Sequence, residues 1–122
     1  MSDAPHLRRG RWAEEQAARY LESRGLRLVA RNFRCRTGEI DLVMTDGPML
    51  VFVEVRFRRS DRYGSGAESV TWTKQRRLIA AARVYLARHA LADAPCRFDV
   101  VSVSKRHYRP DFLWLRNAFG EN

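Results

Sequence analysis

Apolar residues recur along this chain with two different periods, and the change of period marks its elements. From about Arg8 to Arg24, Ala13, Ala17, Tyr20 and Leu21 fall on one helical face, and Gly25 supplies a stop. Leu26 to Ala30 then predicts a first strand, which leads into an Arg-rich loop over 31–38. Two alternating runs follow, about Glu39 to Thr45 and about Leu50 to Arg58, with the turn signal Asp46-Gly47-Pro48 between them. Such a pair reads as a β-hairpin. A polar, Gly-containing loop covers 60–66, and helical spacing resumes from about Thr73 to His89 with Leu78, Ala82, Tyr85 and Leu86 on one stripe. Thr71 and Thr73 are candidate N-caps. A fourth strand is expected over Phe98 to Val103 and a short fifth over Phe112 to Leu115. The order α-β-β-β-α-β-β fits an α/β fold with a mixed central sheet and flanking helices. The 122 residues suit one domain, with residues 1 to 7 as a loose arm.

The hairpin carries acids where apolar residues are the norm. Asp41 lies within Ile-Asp-Leu-Val and Glu54 within Phe-Val-Glu-Val-Arg, with Glu39 just ahead. Aspartate is poor in strands, and buried carboxylates require partners. A turn that pairs Thr45 with Pro48 sets Asp41 opposite Phe52 and Glu39 opposite Glu54, although a three-residue loop with a bulge shifts that register. In the first case Glu39, Asp41, Glu54 and Arg56 share one face. Ile40, Leu42, Met44, Val51, Val53 and Val55 take the other, as the main core.

On the first helix Glu14 shares the stripe of Ala17, Ala18 and Leu21, whereas Glu15 aligns with Arg19 and Glu22 on the solvent side. Glu14 facing Asp41 and Glu54 makes a candidate metal cage, because like charges so close oppose joint ionisation unless a cation holds them. Oxygen-only ligands select Mg²⁺ or Mn²⁺ over zinc. The pattern fits equally well a solvated hairpin face on which the acids pair with arginines.

Charge narrows the partners. The formal net charge is +9, from 23 basic and 14 acidic residues, which favours polyanions such as nucleic acid. Of the basic residues 21 are arginine and only Lys74 and Lys105 are lysine. Arginine grips phosphate in a bidentate fashion and stacks on bases. Cys35 and Cys96 lie far apart without metal-ligand spacing and read as thiols. No apolar run reaches the roughly 18 residues of a membrane span, and the N-terminus lacks a secretory stretch, so the expected compartment is the cytoplasm.

Three stretches together resemble a known family. Ala-Glu-Glu-Gln-Ala-Ala-Arg-Tyr-Leu-Glu-Ser-Arg-Gly-Leu, Arg-Asn-Phe-Arg-Cys-Arg-Thr-Gly-Glu-Ile-Asp-Leu-Val and Leu-Val-Phe-Val-Glu-Val-Arg are similar to the bacterial YraN family of uncharacterised proteins. The likeness runs over roughly residues 10 to 104, through Lys74-Gln75-Arg76 and Arg97-Phe98-Asp99. It implies similarity to archaeal Holliday-junction resolvases and a restriction-endonuclease-like fold. It further implies Glu14, Asp41 and Glu54 as acids that ligate Mg²⁺ or Mn²⁺, with Arg56 at the position where nuclease relatives carry lysine. The activity so implied is metal-assisted hydrolysis of DNA phosphodiesters, in branched or damaged DNA, by a homodimer. Arg56 neutralises phosphate but does not serve as a base, so a non-catalytic nucleic-acid-binding protein on the same scaffold is the alternative. Arg34, Arg36, Arg58, Arg59, Arg62, Arg76 and Arg77 flank the site in sequence as candidate phosphate contacts, and Lys74 is placed to approach it. Trp72 is a candidate for stacking on a base or for partial burial.

Overall fold

A computed structural model describes residues 5–58 and 70–120, with side chains from Arg8 onward. Loop 60–66 and Arg59 and Arg62, expected near the site, lie outside the described residues. Seven elements follow in the order α1 (Pro5–Ser23), β1 (Arg27–Cys35), β2 (Gly38–Asp46), β3 (Met49–Arg58), α2 (Trp72–Arg88), β4 (Cys96–Arg106) and β5 (Arg109–Phe119). The strands form one five-stranded sheet in sequential order, antiparallel except for the parallel pair β3–β4. A parallel pair needs a long crossover, and α2 lies within it.

Each sheet face carries its own helix. Ala13, Ala17, Ala18 and Leu21 of α1 pack on Leu42, Met44, Val51, Val53, Val101 and Val103. Leu78, Ile79, Ala81, Ala82 and Tyr85 of α2 pack on Ile40, Val43, Phe52, Phe98 and Val100. The alanines on α1 let its backbone approach the valine-rich strands closely. With both faces covered, Glu54 is buried and Asp41 partly so, whereas Glu39 stays exposed.

Several expected boundaries move, for identifiable reasons. Helix α1 starts at Pro5, earlier than the expected arm allows; proline is tolerated in a first turn, where its missing N–H is not needed. The Arg-rich loop assigned to 31–38 is instead the second half of β1, which pairs Phe33 with Ile40 and Cys35 with Gly38. An edge strand carries charged side chains outward without penalty, so arginines there do not signal a loop. β1 also departs from regularity between Leu28 and Ala30, and Asn32 adopts a left-handed φ of 51°. Strands β4 and β5 both extend well beyond the expected spans.

The hairpin register differs by two residues. Asp46 pairs with Met49, Thr45 with Leu50 and Leu42 with Val53, so Gly47 and Pro48 are the turn. Gly47 has a φ of 59°, the left-handed conformation that glycine adopts at little cost. Glu39 therefore faces Arg34 of β1 rather than Glu54. Ile40 belongs to the α2 side although Leu42 and Met44 belong to the α1 side, so the alternation breaks at Asp41.

A buried acid organises the far side of the sheet. Asp99 is 0% exposed and accepts bonds from Arg97 Nε (3.0 Å), Trp114 Nε1 (2.9 Å) and the Asn117 backbone N–H (2.9 Å). Arg97 also reaches Asp46 at 3.0 Å. The β4–β5 register skips between Phe98 and Val100, and Asn117 has a φ of 50°. Asp99 thus holds the bulge of β5 through both side-chain and backbone donors, which is how a buried carboxylate is retained.

Gly38 fixes the height of α2 over the sheet. A Cβ built at this position would lie 2.5 Å from the Arg77 carbonyl oxygen, a backbone atom that has no room to rotate away. Gly38→Ala is expected to lower the unfolding free energy in urea by about 1–3 kcal/mol. Gly10→Ala, within α1 and facing open space, is expected to raise it by about 0.5–1 kcal/mol. Equal effects of the two substitutions would contradict this account of Gly38.

Candidate functional site

The β2–β3 ladder runs from Asp46↔Met49 to Leu42↔Val53 and stops there. Continued by one step, the same register puts Asp41 across from Glu54. At this point Asp41 Oδ2 accepts the backbone N–H of Val55 at 2.8 Å. The side chain serves a β3 donor beyond the last pair of the ladder, which explains an aspartate in this strand.

Glu54 follows Leu50 and Phe52 on the α2 side and is 5% exposed. Its carboxyl and that of Asp41 are near enough that each bears on the other's ionisation. Lys74 Nζ stands 3.1 Å from Glu54 Oε1. Burial pushes the Glu54 carboxyl up to about 8; the charge of Asp41 acts in the same sense and the Lys74 ammonium opposes it. Burial also raises the Asp41 carboxyl, against the Val55 hydrogen bond. Among the described residues Lys74 is the cation paired with Glu54, and burial outweighs it in favouring the neutral carboxyl.

Lys74 owes its position to the start of α2. Thr71 has extended backbone angles (φ −63°, ψ 159°), and its hydroxyl accepts the Lys74 N–H at 3.2 Å. Of the two candidate caps, Thr71 is the one used. The Gln75 side chain donates to the Val70 carbonyl at 2.9 Å, away from the acids. The contact of Gly38 with Arg77, one turn further along, keeps this end of α2 low over the sheet.

Glu14 approaches from α1. It is half-buried, and its carboxyl is raised by burial and by the nearby charge of Asp41, while a hydrogen bond with Asn32 opposes the shift. Asn32, which opposes the shift, is the β1 residue with the left-handed backbone. Glu15 points the other way, to Arg19 at 3.0 Å and Arg31 at 2.8 Å, as its solvent-side placement implies. Among the described residues no group of three or more His, Cys, Asp or Glu side chains converges closely enough to hold one ion. Asp41 and Glu54 touch, and Glu14 is a neighbour of Asp41 set apart from them.

The other expected residues scatter around this centre. Arg56 lies two residues beyond Glu54 on the same strand, half-buried, and makes no ion pair among the described residues. Arg36 is exposed in the β1–β2 turn, and Arg58 closes β3. Arg34 is exposed and pairs with Glu39 at 3.3 Å. A cleft of about 460 Å³ opens beside the acid pair, lined by Arg34, Glu39, Thr71, Lys74 and Arg77 among others. Lys74 is common to the cleft and the acid pair. Its contact with Glu54 is the feature that sequence reasoning undervalued, although a lysine three residues after a threonine cap was a signal in an arginine-dominated chain.

These features define a mixed α/β protein with a carboxylate pair embedded in its sheet and a lysine delivered from a helix. The chain belongs to the uncharacterised protein family UPF0102, the YraN-like family, whose model matches residues 13–103. It is similar to a UPF0102 protein of Nitrosococcus oceani, with 51% identity over 120 residues covering 98% of this chain and 97% of that one. It is likewise similar to a UPF0102 protein of Xanthomonas axonopodis pv. citri, with 54% identity over 117 residues (95% and 94% covered). Among the described residues no helix is long and apolar enough to cross a membrane.

A carboxyl raised from 4.5 to about 8 on folding binds a proton that the unfolded chain has already released. Stability therefore falls as pH rises across that window. Between about pH 5.5 and about pH 8.5 the unfolding free energy is expected to drop by on the order of 2–4 kcal/mol, with a clearly smaller drop in Glu54→Gln. Urea titrations at the two pH values check this, and parallel drops in both proteins would refute it.

Proposed function

We propose that this protein is a metal-dependent nuclease that hydrolyses DNA phosphodiesters, with Asp41, Glu54 and Lys74 at its centre. The observation that carries the reading is the neighbouring Asp41 and Glu54 carboxyls on adjacent strands, Glu54 buried with the Lys74 ammonium 3.1 Å from it. Among the described residues Asp99 meets donors from Arg97, Trp114 and Asn117, whereas the Asp41–Glu54 pair meets the Val55 N–H and the Lys74 ammonium. The donor set fits a hard divalent ion, since Mg²⁺ is commonly held by one or two carboxylates together with substrate phosphate. Asp41 and Glu54 would hold it, and Glu14 would hold a water at its edge. A bound Mg²⁺ or Mn²⁺ supplies a water of lowered pKa and neutralises charge building on the phosphate.

Lys74 takes the part that Arg56 is unable to play. An ammonium released from Glu54 is able to orient an attacking water and to give up a proton, whereas a guanidinium keeps its charge. Arg56 is left with phosphate neutralisation. The sequential α-β-β-β-α-β core with acids on neighbouring strands supports the restriction-endonuclease-like fold implied by the family resemblance, and the net charge of +9 supports a polyanionic substrate. Branched or damaged DNA and a homodimeric assembly belong to the same reading. A second reading, nucleic-acid binding without hydrolysis, is favoured by arginine at position 56.

The test is cleavage of duplex, single-stranded and four-way-junction DNA with Mg²⁺ or Mn²⁺. Asp41→Asn and Glu54→Gln are expected to abolish cleavage, and Lys74→Ala to reduce kcat by about 10²-fold or more. Arg56→Ala is expected to act mainly on KM. Failure to cleave any substrate, with salt-sensitive DNA binding intact, would leave the binding protein as the function. Mn²⁺ is also expected to raise the melting temperature of the parent more at high pH than at low pH, because a metal competes with protonation of the raised Glu54 carboxyl; Asp41→Asn should lose most of that gain.

A further inference from the structure

The cleft beside the acid pair has a chemistry of its own. It lies between the end of the β1–β2 hairpin and the first turns of α2, and its cations are Arg34, Lys74 and Arg77. Its acid is Glu39, which Arg34 pairs at 3.3 Å with both side chains largely in solvent. Such a pair exchanges readily for another anion, because exposed ion pairs are worth little. Thr71 and Thr73 add hydroxyl groups at the rim. At about 460 Å³ the cleft is in the range of small-ligand sites and admits a sugar–phosphate unit.

Trp72 stands in the chain between those two threonines. It is 73% exposed, whereas Trp12 and Trp114 are partly buried in the α1 side of the core. The Arg76 guanidinium lies over its ring at 5.7 Å from the centroid, which steadies the indole while most of it stays in water. Burial does not explain a tryptophan in that position, and neither does the helix, since the first turn of α2 is capped by Thr71. Trp72 does not line the cleft, but its chain neighbours Thr71 and Thr73 do; an exposed aromatic ring next to a cationic cleft is an arrangement that binds single-stranded nucleic acid, with phosphate on the cations and a base on the ring. A paired, stacked base has no free face to offer.

We propose that this cleft receives a sugar–phosphate of an unpaired nucleotide whose base stacks on Trp72, so that the protein prefers strands with unpaired nucleotides beside the acid pair. The inference rests on the phosphodiester reading for the class of ligand, and it adds which form of nucleic acid is taken. Because Lys74 belongs to both places, a strand seated in the cleft runs past Glu54.

The experiment measures binding without metal, in EDTA, so that no hydrolysis enters. A short labelled single strand, as DNA and as RNA, is compared with the duplex of the same sequence by fluorescence anisotropy. The single strand is expected to bind more tightly, and Trp72→Ala to weaken it by about tenfold or more while duplex affinity changes less than about twofold. Trp72→Phe should restore most of the loss, and Arg77→Gln should lower the salt dependence by about one counterion. Trp72→Ala binding the single strand as the parent does, or losing both substrates equally, would overturn the proposal. The nuclease reading fails separately: a Trp72-dependent single-strand preference with no cleavage under any metal leaves this inference standing and removes that one.

Discussion

The Asp41 carboxylate accepts the Val55 amide where β2 stops pairing with β3, and much of the molecule is arranged around that bond. A strand pair that opens leaves backbone donors to be served, and here a side chain serves one of them. The remainder of the same carboxyl is then free to meet Glu54 from the neighbouring strand and to feel Glu14 from α1. Below the opening, Leu42, Val53 and their neighbours form a conventional two-sided core. At the opening, the two sides of the sheet come into electrical contact through one aspartate. That is why Lys74 of one helix and Glu14 of the other bear on the same pair of residues.

Three acids stand inside apolar strand runs, and they have two fates. Asp99 collects an arginine, an indole N–H and a backbone N–H, and is a fixed part of the framework. Among the described residues Asp41 and Glu54 have one backbone N–H and one ammonium between them, and burial raises both carboxyls. The donors within reach, and not burial alone, set how a buried carboxylate is held. The difference is invisible in Phe-Asp-Val-Val beside Ile-Asp-Leu-Val, since the donors to Asp99 at Trp114 and Asn117 come from a strand far along the chain.

The elements themselves were legible because their periods are clean, and the hairpin faces survived a wrong turn because the register shift was even: a two-residue slip keeps Asp41 and Glu54 on one side. It also turned a diagonal relation into a direct one, which strengthened the pair. What alternation did not carry was the break at Asp41 that sends Ile40 to the other core, or the continuation of β1 through its arginines. Between the pairs Arg31↔Leu42 and Phe33↔Ile40 stands Asn32, a residue type that tolerates the left-handed region it adopts and so offered a faint signal. The place of Glu14 followed from helical spacing. The place of Lys74 did not, because it depends on how α2 meets β2.

That meeting has a consequence for how the site is regulated by its own scaffold. The separation between α2 and the sheet is set at Gly38 by the absence of a single methyl group. The ammonium that balances Glu54 is carried on the same rigid rod, about one turn away. Anything that wedges the rod outward, whether a bulkier side chain beneath it or a strand pulling on its leading end, withdraws the counter-charge and leaves the acids to find another cation. The thickness of the packing is therefore also a setting of the local electric potential.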